Sequence, residues 1–330
     1  MRYRVTHTTK YEYSSAVSLS HNQNRLRPRS LDYQTVIDPS VSISPEPRTR
    51  QRWIDCFGNE TEFFSMEQSH REMIVCATSE VDRTTPRTVG LGQVSWEELV
   101  RKVASPQAPE TRLATQFAFD SRYSKKSQQA YDYAVKSFVP GRSVMGCAAD
   151  LTRRIFEEFE YDPQATQVST PTLAVLEGRR GVCQDFAHVQ IACLRSMGIP
   201  CRYVSGYLLT HAPAGKAKLV GSDASHAWVS VYMGQGTWVD FDPTNNLIPS
   251  VEHITIGWGR DYGDVCPIQG VLIGGGATVL TVSVDVRHLD PLASQNNSAG
   301  NSAMIQNSNS RDANSQMQTN SGNSPESPKN

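Results

Sequence analysis

The segment spanning residues 181–200 constrains the fold more than any other part of the chain. Its apolar residues recur every three or four positions, which is the period of an α-helix with one buried face. These residues are Phe186, Val189, Cys193 and Met197. Gly198 and Pro200, which follow them, are typical of a helix end. The pattern therefore predicts a core helix that begins near residue 183.

Cys183 lies in the first turn of this predicted helix. Free amide groups and the positive end of the helix dipole stabilise a thiolate at such a position. Cys183 is therefore a candidate nucleophile, although most cysteines at buried positions only pack. A metal site formed by Cys183, His188 and Cys193 is excluded, because these side chains would lie about 140° apart around the helix.

The composition limits the partners that we expect. The chain has 330 residues, of which 38% are hydrophobic, so it can form a large core and more than one domain. A net charge of -1 provides no basic surface for nucleic acid or anionic lipid. The sequence shows no apolar leader or membrane span, which predicts a cytoplasmic protein without a membrane partner. Its seven cysteines lack paired spacing, which favours free thiols and predicts neither a metal nor a cofactor.

Three domains follow from the periodicity. Residues 1–90 contain short alternating runs separated by turn formers, which is typical of an antiparallel β-sandwich. Residues 91–289 are expected to form the second domain, in which helices pack on an antiparallel sheet and the last strands, within 271–284, close the domain. Residues 290–330 are rich in Ser, Asn and Gln and predict a disordered tail.

Two helices and three strands of the second domain can be placed more closely. Ser95 and Glu98 form a capping-box pattern at a helix start. A second helix is predicted over residues 144–161, with a buried face and a charged remainder. The buried face is expected to contain Leu151, Ile155, Phe156 and Phe159, and the remainder Arg153, Arg154, Glu157 and Glu158. Strands are predicted over residues 202–209, 227–233 and 237–241, with a polar loop over residues 210–223.

His226 and Asp242 are predicted to meet. His226 begins the second of these strands, and Asp242 follows the third, across one hairpin turn. Antiparallel pairing around that turn places residues 226–228 opposite residues 242–244. If the start of the Cys183 helix faces this end of the sheet, the three side chains provide a nucleophile, a base and an orienting acid. Taken alone, a histidine such as His226 is more often a polar surface residue, and Asp242 is more often only the start of an Asp-Pro turn.

Several motifs in this region resemble the bacterial transglutaminase-like proteins of the papain-like cysteine-enzyme fold. They lie at residues 181–187, 194–207, 225–229 and 238–244. The β-rich start of the chain and residues 259–271 are similar to the N-terminal domain and the closing segment of that family. The resemblance implies an α+β fold, a β-sandwich followed by a papain-like core, with Cys183 as nucleophile, His226 as base and Asp242 as acid.

The neighbouring residues receive secondary roles. Asp240 is expected on the opposite face of its strand in a structural role, and Asp185 is expected to stabilise the helix start. Trp228 is expected to shield the base from water. The backbone N–H of Cys183 is a candidate oxyanion donor, with Gln184 or Tyr161 as the second donor.

Two departures from related enzymes stand out. The calcium-binding loops and the oxyanion tryptophan of the animal crosslinking enzymes have no counterpart in this sequence. Glu177 stands where papain-like proteases place a glutamine, six residues before the nucleophile. The second oxyanion donor is therefore not fixed by the resemblance.

The pattern predicts a cysteine acyl-transfer enzyme that acts on a peptide or protein amide. Water at about 55 M needs no binding site of its own, which favours a peptidase or amidase over a crosslinking protein-glutamine acyltransferase. A non-catalytic peptide-binding module is the alternative of a different class. Retention of all three candidate catalytic residues favours the enzyme.

Overall fold

The structure is a computed structural model that describes residues 1–88, 90–210 and 224–289. Nearly all of the predicted polar loop and the whole predicted tail lie outside the described residues. The strands are β1 (Arg2–Asn24), β2 (Gln34–Ser44), β3 (Thr49–Ile54), β4 (Glu60–Met66), β5 (His70–Arg83), β6 (Glu160–Tyr161), β7 (Arg180–Gly181), β8 (Cys201–Leu208), β9 (Ala224–Gly234), β10 (Thr237–Phe241), β11 (His253–Gly259), β12 (Ile268–Gly274) and β13 (Thr278–His288). The helices are α1 (Trp96–Ala104), α2 (Pro109–Thr115), α3 (Gln128–Ala134), α4 (Val144–Glu158), α5 (Thr172–Gly178), α6 (Cys183–Ser196) and α7 (Tyr262–Val265).

The long strand β1 is the centre of the N-terminal sheet, which has the order β2-β5-β1-β4-β3. Its first half pairs with β5, its second half pairs with β4, and the register shifts between Glu12 and Val17. Side chains of β2 and β5 pack with those of β4 in one cluster, so the sheet curves around its own core. The predicted α+β class is confirmed, with the N-terminal layer formed by one curved sheet.

The two closing strands belong to this sheet. β12 and β13 both pair antiparallel with β1. The strand pattern predicts that they close the second domain, whereas their backbone pairing joins them to the N-terminal sheet. One edge of β1 pairs with β5 and β4, and the backbone groups on its other edge also need partners. The two closing strands, β12 and β13, provide these partners.

The second sheet has the order β10-β9-β8-β11 and is antiparallel throughout. Helix α6 packs on β8 and β9, while α3, α4 and α5 contact its other sides. Every residue from Cys183 to Arg195 is consequently buried. The expectation that this helix buries only one face is therefore wrong, although its start and its end at Gly198 agree with the sequence pattern.

The other predicted helices form with small differences. The Ser95 side chain accepts a hydrogen bond from the Glu98 amide at the start of α1, as the capping pattern predicted. Helix α4 ends at Glu158, before a short strand begins. Two side chains of α4, Phe156 and Arg154, differ from the predicted burial. Phe156 was expected on the buried face but is 47% exposed. Arg154 is buried and donates to the Tyr133 carbonyl at 2.8 Å.

The two sheets contact each other through a separate apolar cluster. Tyr3 and Val5 of β1 pack there with Tyr207 of β8 and Ile254 of β11. This contact places one face of the N-terminal sheet against the sheet that carries His226. None of the helices among the described residues has the length and apolar character needed to cross a lipid bilayer.

Candidate active site

The start of α6 is stabilised by the side chain of Asp185, the third residue of this helix. Asp185 accepts hydrogen bonds from the Val182 amide at 2.9 Å and from the Thr166 hydroxyl at 2.6 Å. A side chain at Gly181 would not fit, because its Cβ would lie 2.6 Å from Asp185 Oδ2. Burial raises the pKa of Asp185. The expected role of Asp185 at the helix start is thus confirmed by its contacts.

Cys183 is the first residue of α6 and is only 3% exposed. Its thiol lies within hydrogen-bonding reach of the His226 imidazole. At a helix start the first amides lack intrahelical partners, and the positive end of the helix dipole attracts negative charge. Cys183 therefore combines a helix-start position with an imidazole neighbour.

His226 and Asp242 meet as the hairpin register predicted. Phe241 pairs with Val229, which places Asp242 beside the strand segment that carries His226. His226 Nε2 donates to Asp242 Oδ2 at 2.8 Å. Nδ1 is therefore the ring nitrogen left for the Cys183 thiol. The structure brings all three predicted residues together, while their catalytic roles stay predictions.

The electrostatics of the pair favour its charged form. Burial opposes the charge on His226, but the Asp242 carboxylate and the Cys183 thiol outweigh it and raise the pKa of His226 to about 10. Burial also acts against the Asp242 carboxylate, but His226, His253 and Asn245 hold its pKa well below the usual range. An imidazolium beside a carboxylate is therefore the expected state at neutral pH.

Two further residues bind the carboxylate, and sequence reasoning missed both. His253 Nε2 donates to Asp242 Oδ2 at 3.1 Å, and Asn245 Nδ2 donates to the same oxygen at 2.7 Å. The amides of Thr244 and Asn245 donate to Oδ1 at 2.9 and 3.2 Å. Asn245 could have been found from the Asp-Pro turn, whose carboxylate commonly binds the following amides. His253 begins β11, whose partner strand the sequence does not indicate.

Three of these side chains, His226, Asp242 and His253, could also hold a metal ion. The ligand atoms of His226, Asp242 and His253 lie within 4.8 Å of one another. Two imidazoles and a carboxylate form a chemically reasonable zinc set. Both imidazoles already donate to one carboxylate oxygen, however, so a cation would have to displace the bond that orients His226.

Trp228 packs against the base, as expected. Its ring is fully buried, with its centroid 6.1 Å from that of His226. A Cβ at Gly206 would lie 2.3 Å from the indole ring, so glycine is required there. Trp228 Nε1 donates to Asp240 Oδ2 at 2.9 Å. The expected position of Asp240 on the opposite face is wrong, because residues two apart in a strand share a face. Its structural role agrees with this contact.

The two candidate oxyanion donors both lie close to Cys183. Gln184 is the second residue of α6 and lines a cleft together with Cys183 and His226. The Tyr161 side chain is 53% exposed, and burial of its hydroxyl, followed by the effect of Cys183, raises the pKa of Tyr161 to about 12. A protonated phenol can donate a hydrogen bond, so both residues stay predicted donors.

Comparisons with known proteins match both halves of the chain. Residues 3–82 match the family model described as the bacterial transglutaminase-like N-terminal region, and residues 141–243 match that of the transglutaminase-like superfamily. An uncharacterised protein of Mycobacterium tuberculosis is 38% identical over 294 residues, which cover 86% of this chain and 92% of that protein. A protein-glutamine gamma-glutamyltransferase of Pseudomonas aeruginosa is 30% identical over 107 residues, 30% of this chain and 16% of that protein. The crystal structure of a candidate cysteine protease from Cytophaga hutchinsonii has the same fold, with a TM-score of 0.69 and 23% identity over 88% of this chain and 91% of that one.

Proposed function

Because the chain belongs to the bacterial transglutaminase-like family, we propose that it is a cysteine-dependent hydrolase that cleaves an amide of a peptide or protein. The family and the fold support a thiol enzyme in general. The choice of hydrolysis, the peptide or protein substrate and the cytoplasmic location are the proposed parts.

One observation carries the proposal. His226 Nε2 is bound to Asp242, and the other ring nitrogen faces Cys183 at the start of a helix. This is the arrangement in which a base, oriented by an acid, keeps a thiol ready for attack. A binding module has no need for a buried imidazolium beside a thiol.

The geometry supports a two-step reaction. The Cys183 thiolate attacks the amide carbonyl carbon, and the backbone N–H of Cys183 stabilises the resulting oxyanion, with Gln184 or Tyr161 as the second donor. His226 Nδ1 gives its proton to the leaving nitrogen, so the C–N bond breaks and a thioester remains. His226 then takes a proton from water, which attacks the thioester and releases the carboxylic acid and the thiol.

Two features favour water over an amine as the second substrate. The cleft at Cys183 is partly open to solvent, so water can enter without a second channel. The similarity to a protein-glutamine gamma-glutamyltransferase covers only 30% of this chain. Amine transfer is therefore the second candidate, favoured by that similarity alone.

Mass spectrometry of quenched reactions tests the proposal. Peptides that contain both glutamine and lysine are incubated with the wild-type protein and with Cys183→Ala. We expect a cut backbone or a deamidated glutamine with the wild-type protein only. An isopeptide bond would show amine transfer instead, and products that also form with Cys183→Ala would refute a role for this thiol.

A further inference from the structure

The cleft at Cys183 has walls from both halves of the chain. The core contributes Cys183, His226 and Tyr203. The opposite wall is the N-terminal sheet, through Tyr11 of β1 and Leu280 of β13, among others.

The strand period explains how β1 reaches the cleft. Alternate residues of β1 face the core, and the first of these, Tyr3 and Val5, pack in the apolar cluster between the sheets. The next members of the same face, His7, Thr9 and Tyr11, line the cleft. One face of β1 therefore has two parts. Its beginning packs between the two sheets, and its continuation forms the cleft wall opposite Cys183.

The lining of the cleft is mostly apolar and carries little charge. Among the described residues, no Asp, Glu, Lys or Arg side chain lines it. His7 binds the Tyr207 hydroxyl through Nδ1 at 2.8 Å and the Thr9 hydroxyl through Nε2 at 3.0 Å. Burial lowers the pKa of His7 to about 4, so this histidine is neutral at pH 7. Burial likewise raises the pKa of Tyr203 well above its ordinary value.

We propose that the cleft selects amide substrates that carry an uncharged, apolar side chain beside the scissile bond, with the N-terminal sheet as the specificity wall. The proposal rests on the proposed function, because it assumes that Cys183 is the nucleophile. A charged side chain in the cleft would lose its water and meet no opposite charge on the β1 and β13 wall.

Peptidyl chloromethyl ketones test this selection without turnover. The Cys183 thiolate attacks the methylene carbon, so a C–S bond forms while the C–Cl bond breaks and chloride leaves. One probe set carries Leu, Glu or Lys at the residue that bears the ketone, and a second set varies the preceding residue. The rate of Cys183 modification is measured by peptide mapping and divided by the rate with iodoacetamide. We expect the Leu probe of at least one set to react about tenfold faster, or more, than its Glu and Lys counterparts.

A matched pair of variants locates the wall. Leu280 lines the cleft, whereas its neighbour Val279 points to the other face of β13 and is 60% exposed. Leu280→Lys should slow the Leu probe and raise the relative rate of the Glu probe about tenfold, while Val279→Lys should change neither. A gain with one probe cannot result from unfolding.

The outcomes separate this inference from the proposed function. Equal normalised rates for Leu, Glu and Lys probes in wild-type protein, with rapid iodoacetamide labelling of Cys183, would overturn the selection and leave the nucleophile in place. The same effect from Leu280→Lys and Val279→Lys would overturn the assignment of the wall. If iodoacetamide does not favour Cys183 over the other cysteines, both the proposed function and this inference fail.

Discussion

Replacement of Asp242 by asparagine should put the His226 proton on the wrong nitrogen. Oδ1 of Asp242 accepts two backbone amides, which can only donate, so the amide oxygen of the asparagine must take that place. Its NH₂ group then points at His226 Nε2, which must give up its proton to accept a bond. The neutral imidazole consequently carries its proton on Nδ1, toward Cys183, and cannot act as a base.

The magnitude follows from the charges that the substitution removes. Asp242 is the main cause that raises the pKa of His226 to about 10, against burial, which lowers it. Without the carboxylate, we expect the pKa of His226 to fall below its ordinary value of 6.5. A difference of more than three pKa units corresponds to about 5 kcal/mol lost from the charged pair. The matching loss of kcat/KM is roughly 10³-fold to 10⁴-fold.

An NMR titration of the histidine Cε1–H signals from pH 5 to well above pH 10 measures the shift directly. The His226 signal is assigned with His226→Ala, and Asp240→Asn is the matched control, because Asp240 binds Trp228 and not the imidazole. A His226 that still titrates near pH 10 in Asp242→Asn, or an equal fall of its pKa in Asp240→Asn, would refute the role given to the Asp242 carboxylate.

Three further predictions concern the same residues and the interface. Cys183→Ala should abolish turnover, His226→Ala should nearly do so and Asp242→Ala should be less severe, with the fold retained in all three variants; a dispensable Asp242 beside an essential Asp240 or Asp185 would contradict this order. Burial lowers the pKa of His7 from 6.5 to about 4, so its contribution to stability is present above pH 6.5 and is lost as the pH falls toward 4. Urea unfolding at pH 7 and pH 4.5 should show that His7→Gln removes much of this loss, which is about 2 kcal/mol between these two pH values; an equal loss in the variant would contradict the assignment. His253→Phe should lower kcat about tenfold, whereas His253→Gln keeps a hydrogen-bond donor and should retain most of the wild-type kcat. Equal activity of the two variants would exclude a positioning role for His253.

Contacts that are local in the chain could be predicted from the sequence. His226 and Asp242 are joined by one hairpin, so the turn residues and the strand period set their register. The start of α6 likewise follows from Gly181 and the apolar period after it. These features depend on a few neighbouring residues, and the structure agrees with them.

Contacts between distant segments could not be predicted. His253 reaches Asp242 because β11 pairs with β8, and no local pattern names that partner. The alternation of β12 and β13 identifies strands, but the open edge of β1 decides which sheet they join. The burial of Arg154 depends on a carbonyl from a different helix. In each case, the partner segment is distant in the sequence, and several surfaces of similar character could have made the contact.

The most direct test of the account is the order in which the free cysteines react with iodoacetamide near pH 6. Cys183 is buried, whereas Cys56 is exposed, so accessibility alone would favour Cys56. A thiolate held by an imidazolium should reverse that order, and peptide mapping should find Cys183 modified first. His226→Ala should remove the preference. Modification of Cys56 first in the wild-type protein, with Cys183 as slow as the buried Cys147, would contradict the central claim that Cys183 is an activated nucleophile.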